Sequence, residues 1–335
     1  MSNKIVIIAE AGINHNGDIK IAKKLIRLAA KSGADIIKFQ TYISKDLVTT
    51  KARLTPYQQK KNKQKKQISL LKKNQLSFNQ FKVLKQYSKK YNIDFLSSAF
   101  DFKSAEFINS LNLKYFKIPS GEITNYPLLK KILQFNKNII VSTGMSNLQE
   151  IRDALKIIRN KNKYKKNIIL LHCTSSYPTS YKDVNLNTML SLKKIFKNYN
   201  IQIGLSDHSL GSEAAIAATA FGAKFIEKHF TLDKKLRGPD HKASLNPKEF
   251  SDFVKSIRNT EKLLGSKIKK ITKSEIENIN LVRKSIVASK KIIKGHLFTE
   301  FNITLKRPAN GLHPKFWEKL IGTKAKKNYK IDDFI

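Results

Sequence analysis

The chain has 335 residues, 41% of them hydrophobic and 27% charged. That composition is globular; it excludes a disordered chain, a collagen-like repeat and a disulfide-stapled mini-scaffold. No apolar run reaches the ~18 residues that would span a bilayer. The single cysteine, Cys173, permits no intrachain disulfide, so a reducing, cytoplasmic setting is expected.

The charge is strongly positive: 65 Lys+Arg against 25 Asp+Glu, a net of +40. Nucleic-acid binders concentrate such charge on one face, usually with arginine. Here only eight of the 65 are arginine, and the lysines are spread over nearly every predicted helix and loop. A solvated lysine-rich surface is therefore expected, with neither nucleic acid nor membrane as partner. A nucleic-acid-binding protein is the remote alternative. The same charge would draw anionic substrates toward a cleft.

Short apolar runs alternate with amphipathic stretches. Residues 5–9 are the first predicted strand, ending at Glu10; Gly17-Asp18 then opens a helical pattern with Ala22, Leu25, Ile26 and Ala29 on one face. The run 34–37 leads to Lys38. Further strands are expected at 94–97, 115–118, 138–141, 167–171, 201–205 and 224–227, each followed by a helical pattern. Eight βα units by about residue 264, with strands apolar on both faces, predict an α/β fold: a closed (β/α)8 TIM barrel over residues 1–265. The stretch 42–75 is too long for a plain βα connection and is expected to be a lid or a basic loop. Residues 266–284 read as a linker. Residues 285–335 read as a small β-rich module, marginal by itself, that needs a surface to pack on.

Chemistry in such barrels lies at the C-terminal ends of the strands. Those positions hold Glu10, Lys38, Gln40, Ser97, Ser98, Lys117, Ser120, Glu122, Ser142, Thr143, His172, Thr174, Ser206, Asp207, His208 and His229. Lys38, Lys117, Ser120 and Ser206 suit a phosphate or a phosphorylated carboxylate. His208 and His229 end consecutive strands, which lie about 4.8 Å apart, so they are expected to share one divalent metal, Mn2+ before Mg2+, with open positions for substrate and water. Glu10 and Glu122 could hold hydroxyls or move protons. Asp240, in the loop after the last strand, is expected at the same mouth. Cys173 reads as a small buried hydrophobe.

These segments together resemble the sialic acid synthase family: the N-acetylneuraminate synthases and their legionaminate and pseudaminate relatives. The carriers are Ile8-Ala9-Glu10-Ala11-Gly12-Ile13-Asn14-His15-Asn16-Gly17, Ile37-Lys38-Phe39-Gln40-Thr41, Phe116-Lys117-Ile118-Pro119-Ser120-Gly121-Glu122 and Ser142-Thr143-Gly144-Met145. His172-Cys173-Thr174, Leu205-Ser206-Asp207-His208, Glu227-Lys228-His229-Phe230-Thr231, Gly238-Pro239-Asp240-His241 and Lys306-Arg307-Pro308-Ala309-Asn310-Gly311 complete the set. The resemblance implies a barrel followed by an antifreeze-like (SAF) domain, in a domain-swapped homodimer.

It also implies condensation of phosphoenolpyruvate with the open-chain aldehyde of N-acetylmannosamine, with release of phosphate. The alternative is a legionaminate or pseudaminate synthase acting on a 2,4-diacetamido-2,4,6-trideoxyhexose. Lys38, Lys117, Ser120 and Ser206 would hold phosphoenolpyruvate, and His208 and His229 the metal. Gln40 is a further substrate contact. Glu10, Tyr177 and Asp240 would orient the sugar, Glu122 would lie beside the reacting carbons, and Arg307 of a second copy would reach the acylamino end. Where the N-acetylneuraminate enzymes place Asn or Thr before Tyr-Pro, this chain has Ser175-Ser176; Ser175 could still donate to phosphoenolpyruvate.

Overall fold

Eight strands close into one parallel barrel in chain order: β1 (Val6–Gly12), β2 (Ile36–Thr41), β3 (Asp94–Ala99), β4 (Tyr115–Ile118), β5 (Asn138–Ser142), β6 (Ile168–Cys173), β7 (Ile201–Asp207) and β8 (Phe225–His229). The computed structural model describes residues 4–54, 66–159 and 166–335. It divides the chain into two units, Met1–Gly265 and Ser266–Ile335. The Ile- and Val-rich runs favour pleated, doubly buried strands. Between them run α1 (Ile19–Lys31), α2 (Phe78–Lys89), α3 (Phe102–Ser110), α4 (Tyr126–Leu133), α5 (Leu148–Arg159), α6 (Asn187–Ile195) and α7 (Glu213–Ala220), with α8 (Pro247–Leu264) after the last strand. The helices begin where side chains can take the orphan backbone donors. Asp18, Asp101 and Asn125 cap α1, α3 and α4, and capping boxes Ser77–Gln80 and Asn246–Glu249 open α2 and α8.

Strand periodicity sorts the barrel into layers. Ile8, Ile36, Leu96, Ile140, Ile169, Leu171 and Phe225 pack together as a separate inner cluster. Their chain neighbours Ile7, Ile37, Ile139, Val141, Leu170 and Ile226 belong instead to the larger core under the helices. Two residues further along each strand, on the same inward face, come Glu10, Lys38, Ser98, Ser142, Cys173 and Glu227. The interior is thus hydrocarbon below and polar above.

The same alternation corrects part of the expected mouth. Ser97, His172 and Asp207 point outward: Ser97 Oγ lies 2.7 Å from Thr41 Oγ1, His172 Nε2 is 2.6 Å from the Val184 carbonyl, and Lys228 donates to Asp207 at 2.6 Å. Thr143 is spent on the Leu171 carbonyl and Thr174 on that of Asp183.

Part of the expected lid, residues 55–65, lies outside the described residues. The flanking parts are ordered into short helices, Ser44–Leu47 and Gln67–Asn74. Gln75 accepts from the Ser44 amide at 2.9 Å, and Tyr42 donates to the Leu71 carbonyl at 3.1 Å.

The second unit has its own core of Ile286, Ala288, Ile292, Phe298, Ile303, Ala325 and Tyr329 around the antiparallel pair β9 (Ser285–Ala288) and β10 (Ile303–Lys306). The stretch expected as a linker contains a helix, α9 (Lys273–Val282), opened by a Thr272–Glu275 capping box. None of its residues is buried in the chain. Its lysine-rich approach hid this start signal in the sequence. No helix among the described residues is long and apolar enough to cross a membrane.

Candidate active site at the barrel mouth

One carboxylate gathers the upper polar layer. Glu227 lies 3.5 Å from Lys117 Nζ and 3.6 Å from Lys38 Nζ, and accepts from Ser206 Oγ at 2.9 Å. Lys38 also pairs with Glu10 at 2.7 Å and donates to Ser98 at 3.4 Å; Lys117 donates to Ser142 at 2.5 Å. Gln40 Nε2 donates to Glu10 at 3.3 Å. Lys38, Lys117, Glu10, Glu227 and Ser206 are all buried. Strand register explains the meeting: Glu10 is level with Lys38 on one side and His229 on the other, and Ser206 with Glu227.

Electrostatics divide the two carboxyls. Burial works against Glu227's charge, yet Lys117 and Lys38 hold its carboxyl down at about 2. Burial pushes Glu10 up to about 7, with Lys38 opposing and Glu227 reinforcing the rise. Lys38 is held above its ordinary range, because Glu10 and Glu227 outweigh burial, whereas burial lowers Lys117 and the Lys38 charge adds to it. One firm anion and one poised carboxyl thus face two ammonium groups, which favours an incoming anion. Glu227 was not among the residues expected here. Its signal was present: it stands two positions after inward-facing Phe225 and two before His229.

The imidazoles stand beside this cluster. Asp207 pairs with Lys228 across β7 and β8, so the next residues, His208 and His229, come level; their ring centroids are 5.3 Å apart. The Tyr177 ring lies 4.2 Å from His208 and 5.5 Å from His229. His208 Nδ1 is 2.8 Å from the Thr174 carbonyl, which can only accept, so Nδ1 carries a hydrogen; burial works against the imidazolium, but Cys173 and the Thr174 carbonyl outweigh it and hold His208 above its ordinary range. Burial, then the neighbouring His208 charge, keeps His229 neutral, and its buried Nδ1 has no hydrogen-bond partner among the described residues. His229 thus offers a neutral nitrogen to a shared cation, and His208 would give up its Nε2 proton to join it. No group of three or more His, Cys, Asp or Glu able to hold a metal occurs among the described residues. The rest of a cation's shell would therefore come from substrate and water.

Cys173 departs from expectation. It is buried, but its sulfur lies 3.8 Å from His208 Nδ1 and 3.6 Å from Ser120 Oγ. Burial alone would raise the thiol; the His208 charge and hydrogen bond bring it down to about 7. Sequence spacing could not show this, because the partner comes from the next strand.

Gly144 shapes a second corner. Its amide donates to Ser120 Oγ at 3.0 Å, and a Cβ there would fall 2.2 Å from Ser175 Oγ, 2.9 Å from Ser120 Oγ and 3.1 Å from Cys173 Sγ. Ser120 and Ser175 therefore converge where only a glycine leaves room. Asp240 is buried in the loop after β8, and its charge adds to burial in pushing the Tyr42 hydroxyl up. Glu122 is less central: half-buried in the turn Ser120–Glu122, it accepts from Asn125 at 2.7 Å, and burial raises its carboxyl. Arg307 lies in the second unit, exposed, directly after β10.

The NeuB family matches residues 25–269, and the SAF domain matches residues 283–335. The chain is 51% identical over 333 residues, 99% of both chains, to an N,N'-diacetyllegionaminic acid synthase of Campylobacter jejuni. It is 41% identical to a synthase of the same name from Legionella pneumophila, covering 96% of this chain and 90% of that one. The crystal structure of N-acetylneuraminic acid (sialic acid) synthetase from Leptospira borgpetersenii, in complex with citrate, superposes with a TM-score of 0.71 at 35% identity, over 83% of this chain and 91% of that one. With a closed (β/α)8 barrel, a SAF domain and this similarity along its whole length, the chain belongs to the NeuB family of sialic, legionaminic and pseudaminic acid synthases.

Proposed function

We propose that the protein condenses phosphoenolpyruvate with a 2,4-diacetamido-2,4,6-trideoxyhexose, releasing phosphate and N,N'-diacetyllegionaminate. Two observations support this reading over N-acetylmannosamine, which sequence motifs placed first. The 51% identity runs over 99% of a diacetyllegionaminic acid synthase, and the sialic acid synthetase structure stands at 35%. The observation that carries the reaction class is the cluster in which Lys38 and Lys117 share Glu227 at 3.6 and 3.5 Å.

In this reading the two ammonium groups hold phosphoenolpyruvate, and Ser120, Ser175 and the Gly144 corner receive its phosphate. Carbon 3 of the enol forms a bond to the sugar's aldehyde carbon. Water adds at carbon 2 of the former phosphoenolpyruvate, and the bond from that carbon to the phosphate oxygen then breaks, leaving the 2-keto acid. His208 and His229 would hold Mn2+ or Mg2+, which supplies Lewis acidity at the aldehyde oxygen when bound. Glu10, with a carboxyl near 7, can release or accept a proton beside Lys38 at neutral pH. Ser206, by donating to Glu227, keeps that carboxylate aimed at both lysines. Asp240 and Tyr177 orient the sugar.

A homodimer, with Arg307 of a second copy at the acylamino end, is supported by exposed apolar side chains on α9: Ile276, Leu281 and Val282. The deciding experiment is a panel. Purified protein with phosphoenolpyruvate and Mn2+ receives either the diacetamido trideoxy sugar or N-acetylmannosamine, and phosphate and 2-keto acid are measured. The diacetamido sugar is expected to give the higher kcat/KM. Preference for N-acetylmannosamine would return the assignment to N-acetylneuraminate, and no product with either sugar would reject the reaction.

A further inference from the structure

The loop after β1 and the loop after β8 are stitched together by buried side chains outside the ionic cluster. Asn14, 1% exposed, donates through Nδ2 to the Phe230 carbonyl at 2.9 Å and to Ser244 Oγ at 2.9 Å. Ser244, fully buried, donates in turn to the Asp240 carbonyl at 2.7 Å. The relay has one direction: amide to hydroxyl to carbonyl. Around it, Thr231 Oγ1 lies 2.7 Å from His241 Nδ1, and His241 Nε2 lies 3.4 Å from Asn16 Oδ1. Gly238 lets these groups close up, since a Cβ there would lie 2.6 Å from the His241 ring and 2.9 Å from Asn16 Oδ1. Backbone bonds continue the seam: the Phe230 amide donates to the Glu10 carbonyl at 2.8 Å, and the Leu245 amide to that of His229 at 2.9 Å.

We propose that Asn14 is a positioning residue for the amino-sugar half of the site. Acting through Ser244, it holds the loop that places Asp240. This rests on the reading that Asp240 faces the sugar. A short polar loop such as 238–244 has few apolar contacts to fix it. A buried hydrogen-bond relay supplies that rigidity, and precise placement of substrate-orienting groups is what such support provides. The relay touches neither Lys38 nor Lys117, so its loss should fall on one substrate only.

The test is a kinetic split with the holoenzyme. Ser244→Ala is expected to raise KM for the amino sugar about tenfold while KM for phosphoenolpyruvate stays within about twofold. Ser244→Thr, which keeps the hydroxyl, is expected to restore the value. In an Asp240→Asn background, Ser244→Ala should add nothing, because both changes then act through one residue. Should Ser244→Ala not fold, Asn14→Ala removes the same bond, together with the one to the Phe230 carbonyl, and carries the same expectation. Parallel rises in both KM values, unchanged KM values, or additive effects in the Asp240→Asn background would overturn the role of Asn14 alone. A wild-type enzyme inactive on every amino sugar would instead reject the functional reading beneath it.

Discussion

Glu227 and Lys228 are neighbours on one strand and both belong to buried ion pairs, yet their surroundings are opposite. Lys228 faces the helices. Its ammonium donates to Asp207 and to the Ser209 carbonyl, each at 2.6 Å, and the other Asp207 oxygen accepts from the Ser209 amide and hydroxyl. That pair is nearly saturated. Glu227 faces the barrel interior, where its two ammonium neighbours stand at 3.5 and 3.6 Å, longer than a tight ion pair. Buried charges left incompletely matched are costly, and they persist where a ligand completes them. The outer pair is architecture. In the proposed reaction the inner cluster receives the anion.

Substitutions can break this contrast. Glu227→Gln should lower kcat/KM about 10³-fold, roughly 4 kcal/mol of transition-state stabilisation, and, because it leaves buried Lys117 without this carboxylate, should also lower the urea midpoint. Wild-type kinetics in that variant would move the chemistry away from the cluster. Asp207→Ala should cost stability without the kinetic loss. Stranding Lys228 costs about 3–5 kcal/mol of folding stability, while the folded fraction keeps its KM values. Replacing both with Leu and Met should recover most of that loss, and urea titration of the single and double variants checks it.

A pH series separates acid unfolding from titration of the cluster. His15 is buried, and burial lowers it to about 4 despite the opposing charge of Asp18. Its folded value lies below its unfolded value, so between pH 6.5 and about 4 the unfolded chain binds the extra proton. Stability from this group is complete above pH 6.5 and falls away toward pH 4, by up to about 3 kcal/mol. His15→Leu should flatten that limb of the stability curve, and an unchanged slope would place the acid sensitivity elsewhere. The smallest expected effects come from adjacent serines on β3. Ser97→Ala loses the bond to Thr41 and about 1 kcal/mol of stability, with kinetics intact. Ser98→Ala, beside Lys38, should raise KM for phosphoenolpyruvate and leave stability nearly unchanged.

Much of the barrel was legible because its signals are local. Runs such as Ile168–Cys173 and caps such as Asp18 and Asn246 act within a few residues. Lys38, Lys117, Ser206, His208 and His229 could be found at strand ends for the same reason. Ser97, His172 and Asp207 looked equivalent to them because a strand end does not reveal which way its last side chains point. The inner apolar residue two positions earlier does, and it would have brought Glu227 forward. The contact of Cys173 with His208 was invisible, since its partner comes from another strand. So was the relay from Asn14 to Asp240, which joins residues more than two hundred positions apart.

From residue order alone followed the eight βα units, the two-unit organisation and the residue types available for anion binding, because period, capping and composition are short-range properties. Closure of the barrel decided the rest. It laid β1 against β8, so that Glu10 came level with His229, and it withdrew water from the cluster. Proton affinities there depend on distance and burial, which the chain acquires only when its two ends meet.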